Sequence, residues 1–177
     1  MASKNILEIR HGAGPFISSK RGIPNDPLGL TFIYDNNRLA LDLLDVRLLF
    51  EPEMATLAAI HATRVQCKEI DNQMHIVENL INKDLDHSEA DMKFHYLIAE
   101  ASGNVVIRNL IPIIHSSIEK SIKVTNNSLR ENAKIYHRKI VEAIKSGDIQ
   151  GSRFSMMTHL NANREYIIQK HKEETSS

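Results

Sequence analysis

An all-α fold, an antiparallel bundle of about six helices preceded by a short β-hairpin, is what this 177-residue sequence predicts. Three observations carry that expectation. From Leu39 to Lys172 apolar residues recur at steps of three and four, the period of a helix with one buried face. Residues that start and stop helices punctuate this stretch at short intervals, and short connections place successive helices antiparallel. Only residues 4–18 break the pattern: Leu7 and Ile9 alternate with charges, and Gly12, Gly14 and Pro15 supply a bend between two short strands.

Taken in order, residues 18–37 carry Pro24, Pro27 and several Ser, Gly, Asn and Asp with little periodicity, and read as a linker. Leu43, Val46, Phe50, Met54 and Leu57 form the first helical stripe. Pro52 is expected to kink it or to start a second helix after Glu51, which would put Glu53 in a first turn where negative charge is favoured. A helix from about Cys67 to Lys83 follows on Ile70, Met74, Val77 and Ile81. Asp86 and Glu89 have capping-box spacing and should open a helix that stops near Gly103. The next, about Val105 to Val124, contains Pro112 and should kink there. Residues 131–146 end at Gly147, and Asp148 can cap a long last helix to about His171. The boundaries read as 1–18, 19–37 and 38–174.

The composition excludes several classes. With 22 Lys+Arg against 22 Asp+Glu, the chain lacks the cationic excess that wrapping nucleic acid requires. The longest apolar stretch, near Val105, is broken by Arg108 and Asn109, too early to cross a bilayer, and no signal peptide is visible. Cys67 is the one cysteine, which rules out an internal disulfide and fits a reducing, cytoplasmic setting. There is no nucleophile elbow, phosphate-cradling Gly loop or His-Glu-x-x-His helix.

The histidines are informative. Asp91 and His95, four apart, leave one face of one helix. His137 falls in line with Ile140, Val141 and Ile144, and His159 borders the stripe of Met156, Leu160 and Ile167. A buried imidazole needs a partner. One ion would satisfy all four groups, and a carboxylate with three imidazoles suits Zn, Ni, Mn or Fe(II) better than Ca or Mg. The plainer alternative is a set of hydrogen-bonded core histidines with an Asp91–His95 ion pair. His115 reads as a core or pocket residue, and His11, His61, His75, His87 and His171 as loop or mixed-face residues. Arg47 has two readings, a surface pair with Glu51 or a guanidinium aimed into a cavity to hold a carboxylate.

Four passages carry a family resemblance: residues 43–59 (LLDVRLLFEPEMATLAA), 91–104 (DMKFHYLIAEASGN), 137–148 (HRKIVEAIKSGD) and 156–160 (MMTHL). In this order they resemble the effector-binding and dimerisation domain, called FCD, of FadR-type GntR transcription regulators. LEIRHGAGPFIS near the N-terminus resembles the wing of that family's winged helix-turn-helix domain, so the chain is expected to begin at the wing. The small basic excess sits there, with four Lys/Arg and one Glu in residues 1–22.

The resemblance implies a divalent metal, Zn or Ni foremost, on Asp91, His95, His137 and His159. It further implies a small organic acid whose carboxylate meets the metal and Arg47, a homodimer, a cytoplasmic location, and DNA contact only through the missing winged helix-turn-helix. No enzymatic activity and no membrane partner are expected. The rival reading is a small helical metalloenzyme that uses the metal for hydrolysis, for which no general base is evident: Glu100 is rotated away from His95.

Overall fold

In a computed structural model of the chain, residues 7–10, 14–17, 29, 36–111 and 129–175 are described. Leu7–Arg10 (β1) and Gly14–Ile17 (β2) pair antiparallel, with Leu7 opposite Ile17 and Arg10 opposite Gly14. They fall in one compact unit, Met1–Tyr34, and the helices fall in a second, Asp35–Ser177.

The helical unit opens with α1, Asn36–His61, which starts inside the stretch read as a linker and runs through Pro52 without a break. The expected second helix after Glu51 does not form. Proline removes one backbone hydrogen bond and crowds the preceding turn. Burial on both sides offsets this: Leu44 precedes Pro52 in the core, and Met54, Ala55 and Ala58 are fully buried beyond it. Glu53 therefore sits in mid-helix and pairs with Arg153 rather than occupying a first turn.

Helix α2, Arg64–Asn82, begins three residues before the expected start. A capping box explains this: Gln66 N–H donates to Thr63 Oγ1 at 3.2 Å and Thr63 N–H donates to Gln66 Oε1 at 3.0 Å. Its stop uses a left-handed residue, Asp84 (φ 55°), with Leu85 N–H donating to Leu80 O at 2.9 Å.

Helix α3 spans Ser88–Ala101. The Asp86–Glu89 capping box expected here is absent. Asp86 Oδ1 instead accepts from the Ser88 N–H at 2.9 Å and the Ser88 hydroxyl at 2.6 Å. A serine two residues on reaches the carboxylate before the third-position amide does. After Gly103, Asn104 Oδ1 accepts from Val106 and Ile107 N–H, opening helical residues 105–111 (α4). Pro112 and His115 lie outside the described residues.

Helices α5 (Arg130–Ser146) and α6 (Ile149–Thr175) meet at a two-residue joint. Gly147 takes the left-handed conformation (φ 70°) that glycine adopts without strain. Asp148 N–H donates to Ala143 O at 2.9 Å, closing α5, while Asp148 Oδ1 accepts from Gly151 N–H at 2.9 Å, opening α6.

Antiparallel packing shows in paired charges. Asp45 meets Arg164 Nε at 2.7 Å between α1 and α6, and Asp71 meets Lys145 Nζ at 2.9 Å between α2 and α5, where Glu78 also pairs with Arg138. Helix α1 packs on α3, α5 and α6, and α2 packs on α3 and α5. Their common core is Met54, Ile70, Met74, Val77, Phe94, Ile98, Ile140, Ile144, Met156 and Leu160. No described helix is long and apolar enough to cross a membrane.

Candidate metal centre

The α5–α6 joint determines which side chains meet. His137 lies ten residues before Gly147 and His159 eleven after Asp148. At about 1.5 Å per residue both stand roughly 15 Å back from the joint, at one height in the bundle. Their ring centroids are 4.8 Å apart. From α3, Asp91 and His95 reach the same level one turn apart. The His95 ring lies 5.8 Å from that of His137 and 5.4 Å from that of His159. Phe94 stacks on His137 at 4.3 Å, walling the group with an apolar face.

The structure thus brings together the four residues singled out from sequence. The three imidazoles each offer a nitrogen, all within 4.8 Å of one another. Asp91 Oδ1 lies 3.3 Å from His137 Nε2, and Asp91 Oδ2 lies 3.9 Å from His95 Nε2. All four side chains are buried. Among the described residues, neither nitrogen of His137 nor of His159 has a hydrogen-bond partner. A buried nitrogen without a partner costs about 1–3 kcal/mol, so four in one place call for a ligand. A divalent ion fits this donor set.

Arg47 is not the surface residue of the first sequence reading. It does pair with Glu51, but in the interior: Nε donates to Glu51 Oε1 at 2.5 Å and Nη2 to Oε2 at 3.3 Å. Its side chain is 4% exposed, and Glu51 is fully enclosed. Nη2 also stands 3.4 Å from His95 Nε2, so Arg47 borders the cluster. Glu51 is the residue that sequence reasoning missed, taken only as the outer half of a surface pair. Its Oε2 lies 2.8 Å from His95 Nδ1, which suits a His95 whose other nitrogen is directed to a metal. The signal was present: Glu51 sits between Phe50 and Met54 on the stripe of α1.

His87, read as a loop or mixed-face residue, lies just outside α3 as its N-cap and is buried there. His75 and His61 are exposed, as expected of mixed faces, and His75 Nδ1 lies 3.2 Å from Glu78. Glu100 is occupied by the Tyr96 hydroxyl, which donates to it at 3.0 Å.

Electrostatics favour a neutral His137 and a neutral His159 beside a charged Asp91. Burial, opposed by Asp91, holds His137 down to about 4. Burial and the neighbouring His137 and His95 hold His159 well below the usual histidine value. Burial alone would raise Asp91, but the field of His137, His95, His159 and Arg47 prevails and lowers it to about 2. Near neutral pH His137 and His159 therefore keep a ring lone pair with which to ligate.

A stability consequence follows for protein stripped of metal. Because His137 and His159 are depressed below the ~6.5 of an unfolded histidine, the unfolded state takes up more protons as pH falls. Their contribution is full above about 6.5 and is lost as pH drops below it, for His137 toward its folded value of about 4. The Asp91 contribution has its own window, lost only on approach to about 2. Melting of chelator-treated protein should therefore drop between pH 7 and pH 5. An unchanged midpoint over that interval would contradict the neutral-histidine assignment.

A closed helical bundle with one carboxylate and three imidazoles at its centre defines a class, a helical domain organised around an internal polar site. Residues 42–162 match the FCD domain, and the chain belongs to that family, the FCD-type GntR transcription regulators. It is 30% identical to a putative L-lactate dehydrogenase operon regulatory protein of Escherichia coli, over 91% of this chain and 66% of that one. It is 24% identical to the E. coli Uxu operon transcriptional regulator, over 94% of this chain and 68% of that one. The chain thus spans about two thirds of the length of these curated relatives.

Among solved structures, Streptococcus agalactiae GntR superposes with a TM-score of 0.83 at 34% identity, over 93% of this chain and 76% of that one. E. coli McbR/YncC, with a TM-score of 0.60 at 17% identity over 96% of this chain and 76% of that one, shares the fold. The family and these relatives are regulators of transcription, not enzymes, and nothing favours the metalloenzyme reading.

Proposed function

We propose that this chain is the ligand-sensing and dimerisation part of a GntR-type regulator, in which residues 38–174 bind a divalent metal, Zn or Ni, together with a small organic acid. The observation that carries the reading is the buried cluster of His95, His137 and His159 with Asp91 beside it, in which the ring nitrogens of His137 and His159 make no hydrogen bond among the described residues. These four residues would hold the ion, which would supply a positive charge for a carboxylate oxygen inside an apolar bundle. Arg47 at the rim adds a second cation toward the same anion. The E. coli relative named for an L-lactate dehydrogenase operon points the same way, since lactate is a small carboxylate.

In the intact cytoplasmic regulator, a homodimer would present two winged helix-turn-helix heads to DNA, with residues 1–18 the wing and the residues from 19 to the start of α1 the linker. Effector binding alters DNA affinity only if the acid binds one arrangement of the heads better than the other. Elemental analysis of protein purified without chelator should find about one Zn or Ni per chain, and calorimetric titration with lactate or acetate should give binding heat that chelation removes. Metal-free protein as purified, with no melting shift on added Zn or Ni, would refute the reading.

A further inference from the structure

We propose that Arg47 competes with the metal for one lone pair of His95, so that the entering ion displaces its guanidinium and frees it for the acid. Arg47 then opposes the metal and favours the acid. This rests on the metal-and-carboxylate reading above and goes beyond it by coupling the two ligands through one side chain.

The two nitrogens of His95 have different neighbours. Glu51 Oε2 lies 2.8 Å from Nδ1. An ionised carboxylate only accepts, so this neighbour places the ring proton on Nδ1 and leaves the in-plane lone pair on Nε2. Nε2 is the nitrogen on the Asp91 side, 3.9 Å from Oδ2. Arg47 Nη2 stands 3.4 Å from the same Nε2. A guanidinium N–H only donates, so the two meet as donor and lone pair.

A metal on Nε2 would sit about 2.0–2.1 Å from it, within the 3.4 Å that separates the two nitrogens. One lone pair cannot serve both, and the Nη2 contact has to open when the ion enters. Little else needs to move. Nε keeps its 2.5 Å hydrogen bond to Glu51 Oε1, whereas Nη2 holds Oε2 at only 3.3 Å, so the head can turn about its anchored edge. Arg47, Glu51 and His95 are all buried, so the released N–H cannot turn to bulk water. It needs another acceptor, and a carboxylate on the ion supplies one. Acid and metal therefore tighten each other's binding, by the same factor in both directions.

Calorimetric titration of the full chain with Zn compares the parent with Arg47→Met and with Arg47→Met/Glu51→Gln. The double variant keeps an amide oxygen for His95 Nδ1 and leaves no lone buried charge. Both should bind Zn about tenfold more tightly than the parent, the effect of freeing one hydrogen-bonded acceptor. Once loaded with Zn, both should bind acetate about tenfold more weakly. If Arg47 only braced Glu51 and His95, its loss would weaken Zn binding instead. NMR of the isotope-labelled parent separates competition from a mere loss of charge. Zn without acid should place the ion on His95 Nε2, shift the Arg47 Nη signals and quicken their proton exchange, and acetate should slow that exchange again. Unchanged or weaker Zn affinity in the folded variants, an ion on Nδ1, or Arg47 Nη signals that Zn leaves in place would overturn the competition while leaving the metal reading intact. A parent chain that takes up no Zn would overturn both.

Discussion

Replacing Glu51 with Ala should cost about 3–5 kcal/mol of folding stability, the scale observed when one partner of a buried ion pair is removed and the other stays behind. Arg47, only 4% exposed, would keep its charge with no carboxylate at Nε or Nη2. Desolvating an unpaired guanidinium is what makes the single change severe. The double change Arg47→Met with Glu51→Leu should recover most of the loss, because it removes both charges and fills their volume. Urea titration of the three variants measures this. A Glu51→Ala cost below about 1 kcal/mol would mean that Arg47 finds water or another anion.

The same substitution should weaken metal uptake by roughly 10–100-fold, the usual effect of removing the partner that orients a ligating imidazole. Here that partner is the Glu51 oxygen 2.8 Å from His95 Nδ1.

The second large effect is a reversal of sign. His137→Leu should leave metal-free protein as stable as the parent or more so, because an imidazole with two buried unpartnered nitrogens is replaced by an apolar side chain of similar size against Phe94. Metal should then stabilise the parent alone. At a free concentration one hundred times Kd, a bound ion adds about 2.7 kcal/mol, and the variant should gain almost none of it. Thermal melts with chelator and with excess Zn separate the two states. An equal metal-induced shift in parent and variant would exclude His137 as a ligand, and a variant much weaker than the parent in chelator would show that the imidazole serves the core.

Where local chemistry decides, the sequence was sufficient. Gly147 and Asp148 mark their joint because a left-handed stop and an oxygen cap act within a few residues of themselves. His137 and His159 stand out because each lies on or beside an apolar stripe whose period gives its direction, and Asp91 and His95 because a spacing of four puts them on one helix face. Where tertiary packing opposes a local rule, sequence reasoning failed. Pro52 predicts a kink or a new helix, and only the burial of Met54, Ala55 and Ala58 shows why the new helix does not form and α1 continues.

The depth of Glu51 is not legible in the sequence because an i,i+4 Arg–Glu pair reads identically on a surface and in a core. Its depth depends on α3 arriving against α1, which no local pattern reports. The burial of His87 is hidden for a similar reason: a residue at a helix threshold has no stripe to indicate which way it faces.

The joint between α5 and α6 also makes the chain its own measuring rod. Deleting one residue between Gly147 and His159 would turn that imidazole by about 100° and draw it back about 1.5 Å, out of the group. Removing four would return it to nearly the same bearing but a full turn nearer the joint. The centre is therefore sensitive to the length of α6 as well as to its composition. A chain with every donor retained and the interval altered by one would keep its helices and lose the meeting point.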